Sequence, residues 1–263
     1  MVTVWKPSPR QQLVIQCPFD EILFGGAAGA GKSFLLVLDW LAHWKTYGGR
    51  VSGVLFRNTY PELEEIRRTM DEVFDGTGAK WRDKDFAFKF PDGAYLKLSY
   101  LDSFDDALKH KGFGYTWRAH DELTQRPTDE EYVYIGSRMR SAHGIPVRTL
   151  CTTNPDGPGH LWVKKRWRID VHRDGMVPFH TYMDLKNNCP IDEDEGKKYD
   201  KLPTDQLPDG IRRTTRIFIP GRLADNKYLN DDGHYRAGLL ALPEAQRKML
   251  LDGRWDITEG CLS

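Results

Sequence analysis

The residues Gly26-Ala27-Ala28-Gly29-Ala30-Gly31-Lys32-Ser33 match the pattern GxxxxGK(S/T) at every position. The pattern lies between a short apolar run over residues 21–24, which predicts a buried strand, and residues 33–45, whose apolar positions recur at helical spacing. Small residues let backbone N–H groups curve around a polyphosphate, and the following helix directs its positive end towards it. The loop therefore predicts a phosphate site in which Lys32 contacts the β- and γ-phosphates and Ser33 ligates Mg²⁺.

Strands and helices alternate on both sides of this loop. Further strands are predicted over 51–56, 115–120 and 147–152, helices over 61–74 and around 129–139, and a hairpin over 86–100. This order predicts an α/β P-loop fold whose central sheet is mainly parallel and flanked by helices. We expect residues 1–183 to form this core. The chain then becomes polar, with prolines at 190, 203 and 208, and we expect residues 184–257 to form a small C-terminal helical lid.

The composition excludes some classes of protein. Lys+Arg and Asp+Glu both count 38, so the net charge of zero gives no sign of a nucleic-acid binder, although it leaves room for a local basic stripe. No apolar run is long enough for a membrane span, and the four cysteines form no CxxC pair. We therefore expect a protein of a reducing cytosol, with no membrane partner and no metal beyond nucleotide-bound Mg²⁺.

An acidic pair, Asp121-Glu122, follows the strand predicted over 115–120. A P-loop needs a carboxylate at the end of a neighbouring strand to hold magnesium, and a hydrolase needs a group that activates water. Asp121 suits the first role and Glu122 the second. The alternative is a solvated acidic pair that begins a helix.

Polar residues also end the strand predicted over 147–152. In Thr152-Thr153-Asn154-Pro155, Thr153 or Asn154 could bind the attacking water or the released phosphate, or the segment is a common Asn-Pro turn. Upstream of the first strand, Gln11 could place its amide against adenine, or it belongs to a polar N-terminal arm.

Several cations are candidates for stabilising a transferred phosphoryl group. Arg57 closes the second predicted strand, and Arg138 and Arg140 follow the acidic pair on a helix expected near the carboxyl edge of the sheet. Each is equally well explained as a surface arginine. The densest basic run, Lys164, Lys165, Arg166 and Arg168, could follow DNA phosphates or form a solvated helix face.

With these motifs in this order, the chain resembles the ATPase domain of the large terminase subunit of tailed bacteriophages. The matching segments are PSPRQQ, GGAAGAGKS, VLFRNTYPEL, HDELTQRP, GSRMRS, CTTNPDGPGHLWVKK, ADNKYL and LLDGRWDITEG. The resemblance implies a motor that binds ATP and Mg²⁺ and couples ATP hydrolysis to translocation of double-stranded DNA into a procapsid. It also implies an adenine contact at Gln11 and a coupling motif over 152–154.

The resemblance further implies partners and a location. These are double-stranded DNA, the portal protein, the small terminase subunit and other copies of the chain, which is a monomer alone and a homo-oligomeric ring on the portal. The location is the host cytoplasm, with transient docking on the procapsid. In such motors a cation from one subunit completes the next subunit's site, and the residue matching that position is Lys111, where arginine is often found.

Two more departures concern the end of the chain. Lys227 in ADNKYL stands where many relatives show proline. The family's nuclease domain would begin after GRWDITEG, so we expect residues 258–263 to start the linker to that domain, and we expect no DNA cleavage by this chain. Two alternatives remain: a helicase-type or recombination-type DNA-dependent ATPase, and a nucleotide-gated ring-assembly module with little turnover. Glu122 argues against a module that only binds.

Overall fold

One ten-stranded sheet organises the residues that the computed structural model describes, which are 6–171, 175–226, 229 and 233–257. The strands are β1 (Glu21–Gly26), β2 (Ser52–Arg57), β3 (Lys80–Arg82), β4 (Ala87–Lys89), β5 (Tyr95–Tyr100), β6 (Trp117–His120), β7 (Arg148–Thr153), β8 (Phe179–Asp184), β9 (Cys189–Pro190) and β10 (Ile211–Gly221). Their order across the sheet is β3-β4-β5-β2-β6-β7-β1-β10-β8-β9. The six consecutive strands β5, β2, β6, β7, β1 and β10 run parallel to one another. Their carboxyl ends therefore meet at one edge of the sheet.

Helices cover both faces of this sheet. They are α1 (Pro9–Gln16), α2 (Lys32–Tyr47), α3 (Tyr60–Phe74), α4 (Phe104–Leu108), α5 (Glu130–Gly136), α6 (His160–Arg166) and α7 (Glu193–Gly196), followed by Gly233–Leu240 and Glu244–Leu250. Side chains of β1 alternate between the faces. Ile22 and Phe24 belong to the core beneath α2 and α3, whereas Leu23 packs in a second core with Val163 of α6. The predicted α/β fold with a mainly parallel sheet is confirmed.

The segment 184–257 differs from the helical lid that its composition predicted. Its residues 211–221 form β10, the longest strand of the sheet, whose first half pairs antiparallel with β8 and whose second half pairs parallel with β1. The run Ile217-Phe218-Ile219 is buried, as expected of β-branched and aromatic residues in a central strand. The polar residues before it hid this signal, because they lie at the less buried end of the strand.

A buried carboxylate also explains the basic run over 164–168. Glu21 at the start of β1 accepts from Arg166 at 3.0 Å, from Arg216 at 3.2 Å and from the Tyr132 hydroxyl at 3.1 Å. Two more members of the run are paired: Lys164 with Asp170 at 2.8 Å and Arg168 with Glu193 at 3.0 Å. Three of the four cations of the run are therefore paired with carboxylates of the same chain, while Lys165 is exposed. Among the described helices, none is long and apolar enough to cross a membrane.

We predict that Glu21→Gln lowers the free energy of unfolding at neutral pH by about 3 kcal/mol, because it leaves two partly buried arginines without their counter-ion. Burial alone would raise the pKa of Glu21, but Arg166 and Arg216 outweigh it and lower it to about 2. This stabilisation is present above the unfolded pKa and is lost as the pH falls towards the folded one. Denaturant unfolding between about pH 5 and 3 should show the two proteins converging.

The matched control for this prediction is Glu193→Gln, which removes an ion pair whose carboxylate side chain is 61% exposed. We expect it to change stability by less than about 1 kcal/mol. A stability difference between wild type and Glu21→Gln that does not vary with pH would contradict the assignment.

Candidate nucleotide-binding site

The P-loop, residues 26–33, joins β1 to α2 along a path that requires glycine at three positions. Gly26, Gly29 and Gly31 have φ of 131°, 76° and 75°, in the region that side chains disfavour. A Cβ atom on Gly26 would also lie 2.8 Å from the carbonyl oxygen of Gly221 on β10. Because Lys32 is the first residue of α2, the loop ends at the positive end of a 16-residue helix.

Residues in the C-terminal part of the chain form hydrogen bonds with the backbone of this loop. The backbone N–H of Ala28 donates to the carbonyl oxygen of Leu250 at 2.6 Å, and the Asn226 amide donates to that of Gly29 at 2.7 Å. Asn226 lies in ADNKYL, a segment for which the sequence predicted no site residue. Residues 190 or more positions downstream thus support the loop's shape.

Lys32 points into the protein. Its ammonium group donates to the Ala27 carbonyl oxygen at 2.7 Å and to the Asn154 side-chain oxygen at 2.6 Å. Burial lowers the pKa of Lys32, while the charges of Glu122 and Asp121 oppose that shift. The structure therefore brings together the lysine, the acidic pair and the end of β7, as the sequence predicted.

The side chain of Asp121 is fully buried within the site. One of its carboxylate oxygens accepts from the Ser33 hydroxyl at 2.8 Å, and the other accepts from the Thr152 hydroxyl at 2.5 Å. A hydroxyl oxygen beside a carboxylate at the start of a P-loop helix fits a hard divalent cation such as Mg²⁺, which takes its other ligands from water and phosphate. No cluster of three or more His, Cys, Asp or Glu side chains suited to a metal occurs in the described part of the chain.

Arg57 at the end of β2 turns inward to the same carboxylate. Its guanidinium lies 2.7 Å from Asp121 and donates to the Ser33 hydroxyl oxygen at 3.1 Å. Only 8% of its side chain is exposed. Of the four cations considered for a neighbouring subunit's site, Arg57 is therefore the one engaged within its own site.

Glu122 has a strained backbone and a shifted pKa. Its φ of 52° lies in the left-handed region, which costs energy for a residue with a side chain. Burial, together with the charge of Asp121, raises the pKa of Glu122 to about 7. A carboxyl group that titrates near neutral pH is suited to accept and release a proton.

The end of β7 is tied to the loop after Glu122 by a residue that the sequence analysis missed. The Thr124 hydroxyl lies 2.6 Å from the Thr153 hydroxyl and donates to the Asn154 carbonyl oxygen at 3.0 Å. Thr153 is fully buried, and its hydroxyl contacts Thr124. The Asn154 side chain instead contacts Lys32. The sequence feature that could have identified Thr124 is its position two residues after Glu122.

Gln11 lies against the P-loop, on α1. Its amide nitrogen donates to the Gly31 carbonyl oxygen at 2.9 Å, and its amide oxygen accepts from the Ser8 backbone at 2.8 Å. The glutamine is buried and caps α1 while it contacts the loop. Its predicted contact with adenine stays a prediction.

Arg138 and Arg140 lie at the amino end of β6, opposite the end of the strand that faces the P-loop. The backbone groups of Arg138 and Arg140 bond to Tyr115, which precedes β6, and so they sit about 20 Å along the strand direction from the P-loop edge. The expectation that their helix lies near the carboxyl edge is therefore wrong, because α5 ends at Gly136 and the chain then returns beside the start of β6. The Arg140 guanidinium donates to the Gly112 carbonyl oxygen at 3.1 Å, which places it beside the exposed Lys111.

Comparisons with known proteins identify the fold. No protein-family model and no curated protein matches the sequence. Solved structures do match: the large terminase of a thermophilic bacteriophage in complex with ATP-γ-S superimposes with a TM-score of 0.63 at 15% identity, covering 95% of this chain and 53% of the terminase. The ATPase domain of the Thermus phage P74-26 large terminase matches with a TM-score of 0.56 at 13% identity, covering 95% of this chain and 94% of that domain.

The chain therefore has the fold of phage large terminase ATPase domains, which confirms the resemblance predicted from the motifs. It spans about half the length of the full terminases that it matches. At these identities the likeness establishes the fold, and the chemistry of the site rests on the contacts described above.

We predict that Glu122→Gln stabilises the protein more at pH 8 than at pH 5, by about 1–3 kcal/mol, in the absence of nucleotide and divalent cations. A carboxyl group whose pKa is raised on folding binds more protons in the native state, so its contribution to stability falls as the pH rises from the unfolded value to about 7. Glutamine carries no such charge. Thermal unfolding across this pH range tests the difference, with the exposed Glu130→Gln as control; equal pH profiles for Glu122→Gln and wild type would contradict the raised pKa.

Proposed function

We propose that this chain is the ATP-hydrolysing motor domain of a large terminase, which couples hydrolysis to translocation of double-stranded viral DNA into a procapsid. The observation that carries the proposal is the convergence of Lys32, Asp121, Glu122 and Asn154 at the carboxyl edge of a terminase-type sheet. Terminases with this fold have been solved with ADP and with ATP-γ-S.

Each residue of the site then has a role. The backbone of residues 26–33 and the Lys32 ammonium bind the phosphates, and Lys32 exchanges its contact with Asn154 for phosphate oxygens. Ser33 and Asp121 would hold Mg²⁺, which when bound neutralises charge on the phosphoryl oxygens. Glu122 accepts a proton from the attacking water, and its pKa of about 7 balances availability of the base against proton affinity.

The link from Glu122 through Thr124 to the end of β7 supports a coupling role for residues 152–154. Thr124 contacts both Thr153 and Asn154. Movement of Asn154 on phosphate release would therefore displace the loop that carries Glu122. Gln11, which touches the end of the P-loop, is proposed to contact adenine.

The proposed assembly is a ring on the portal protein, with DNA at its centre and the small terminase subunit as a further partner. Arg138 and Arg140 lie beside Tyr115 at the amino end of β6, and Arg140 contacts the Gly112 carbonyl oxygen next to Lys111. These three cations are proposed as candidates for completing the site of a neighbouring subunit. Arginine is the better suited residue type, because its planar fork matches phosphoryl oxygens.

The test is the rate of ATP hydrolysis as a function of protein concentration, with and without duplex DNA. We expect turnover per chain to rise with concentration and with duplex DNA, and Lys32→Ala to abolish nucleotide binding and turnover, because in the described part of the site no other lysine is placed at the loop. Stimulation by single strands alone would favour the helicase-type alternative. Binding without turnover under all conditions would favour the ring-assembly module, and hydrolysis by Lys32→Ala at the wild-type rate would contradict the site itself.

Glu122→Gln should retain nucleotide affinity within about threefold while lowering turnover by a factor of about 10²–10⁴, since the amide keeps the shape but cannot accept a proton. Fluorescent-nucleotide binding and steady-state hydrolysis measure the two effects separately. Retained turnover would transfer the role to another carboxylate, with Asp121 the nearest.

A further inference from the structure

Arg57 occupies a particular place in the site: it contacts both groups that would hold magnesium. Asp121 Oδ2 lies 2.8 Å from Ser33 Oγ and 2.7 Å from Arg57 Nη2, and Arg57 Nη2 lies 3.1 Å from Ser33 Oγ. The three atoms form a closed triangle of two hydrogen bonds and one ion-pair contact. A second nitrogen of the guanidinium, Nε, donates to the same carboxylate oxygen at 2.9 Å.

The direction of these bonds follows from the chemistry of the hydroxyl. Ser33 has one proton, which it donates to Asp121, so the guanidinium N–H must point at a lone pair of Ser33 Oγ. A hydroxyl ligates a cation through such a lone pair. Arg57 therefore occupies one of the two lone pairs through which Ser33 could ligate a metal.

The charges around Asp121 also indicate that Arg57 and a divalent cation would compete for the same position. The Asp121 carboxylate is fully buried, and the Arg57 guanidinium, with a side chain 8% exposed, is the cation in contact with it in the described structure. A divalent cation at Ser33 and Asp121 would stand next to this guanidinium in a poorly screened environment, where like charges repel strongly. The two cations are alternatives for one anionic position.

The other side of Arg57 connects this position to α3. Nη1 donates to the Glu62 carbonyl oxygen at 2.8 Å and to the Glu65 carboxylate at 3.1 Å, both in the first turns of that helix. The backbone N–H of Asn58 donates to the Glu62 carboxylate at 3.2 Å, which completes the contact between the end of β2 and the helix. Movement of the guanidinium would release the start of α3.

We propose that Arg57 is a resident cation that fills the magnesium position in the nucleotide-free protein, and that its guanidinium leaves Ser33 and Asp121 when magnesium nucleotide binds. The exchange makes magnesium binding weaker than the site's oxygen ligands alone would allow, and it transmits the nucleotide state to the first turn of α3. This inference rests on the proposed function, because it assumes that the P-loop binds a magnesium nucleotide.

The test compares wild type with Arg57→Met, which keeps the length of the side chain and removes its charge and donors. Binding of a fluorescent ADP analogue is measured as a function of Mg²⁺ concentration, and also in EDTA. We expect the Mg²⁺ concentration for half-maximal effect to fall at least tenfold in Arg57→Met, and affinity in EDTA to change by less than threefold. Arg67→Met is the matched control, because Arg67 lies on α3 and pairs with Glu64 and Asp71 away from the site.

An unchanged or increased Mg²⁺ requirement in Arg57→Met would overturn the inference, since a competing cation would then not have been removed. Failure of wild type to bind the nucleotide at any Mg²⁺ concentration would instead overturn the proposed function. Mg²⁺ alone should also raise the melting temperature of Arg57→Met, which lacks a counter-ion for Asp121, more than that of wild type.

A measurement on the wild-type protein covers the case in which Arg57→Met does not fold. Hydrogen exchange of residues 58–66 is compared between ADP with EDTA and ADP with Mg²⁺. We expect exchange there to become at least threefold faster with Mg²⁺, because the contacts of Arg57 with Glu62 and Glu65 are lost. Equal or slower exchange would show that the guanidinium stays in place and would overturn the inference.

Discussion

The buried carboxylate of Asp121 is the constraint around which the site is built. It joins the start of α2 through Ser33, the end of β7 through Thr152 and the end of β2 through Arg57. A fully buried charge is tolerated only when hydrogen bonds and a counter-ion surround it, and these three groups supply both. The parallel alignment of the strands makes this possible, because it brings the carboxyl ends of β2, β6 and β7 to the same edge as the P-loop.

The same carboxylate sets the properties of its neighbour. Glu122 follows Asp121 directly and itself has a left-handed φ, which turns its side chain into the site beside Asp121. Burial disfavours the ionised form of Glu122 and the charge of Asp121 acts in the same direction, so the pKa of Glu122 rises to about 7. Backbone strain and an unfavourable charge pair together are the kind of cost that proteins sustain at functional sites.

The C-terminal segment is part of the nucleotide site as well as of the sheet. β10 lies beside β1, and the segments around Asn226 and Leu250 bond to the P-loop backbone. His160 on α6 adds a connection between Pro155 after β7 and Trp255 near the end of the described chain, through its two ring nitrogens. The turn after β7 is thereby connected through His160 to Trp255, in the same segment of the chain that contacts the P-loop.

The sequence by itself determined the P-loop, the alternation of strands and helices, and the pairing of Lys32 with an acidic pair and a polar strand end. These features are local patterns: a loop of fixed spacing, apolar periodicity, and polar residues directly after strands, which a parallel sheet gathers at one edge. Tertiary structure alone decided where long-range partners meet. The orientation of Arg57 towards Asp121, 64 residues away, the neutralisation of Arg166 by Glu21, 145 residues away, and the placement of Arg138 beside Tyr115 depend on strand order and loop paths that no local pattern encodes. For the same reason β10 escaped prediction: its polar first half is stabilised by pairing with β8, and that partner is known only once the chain has folded.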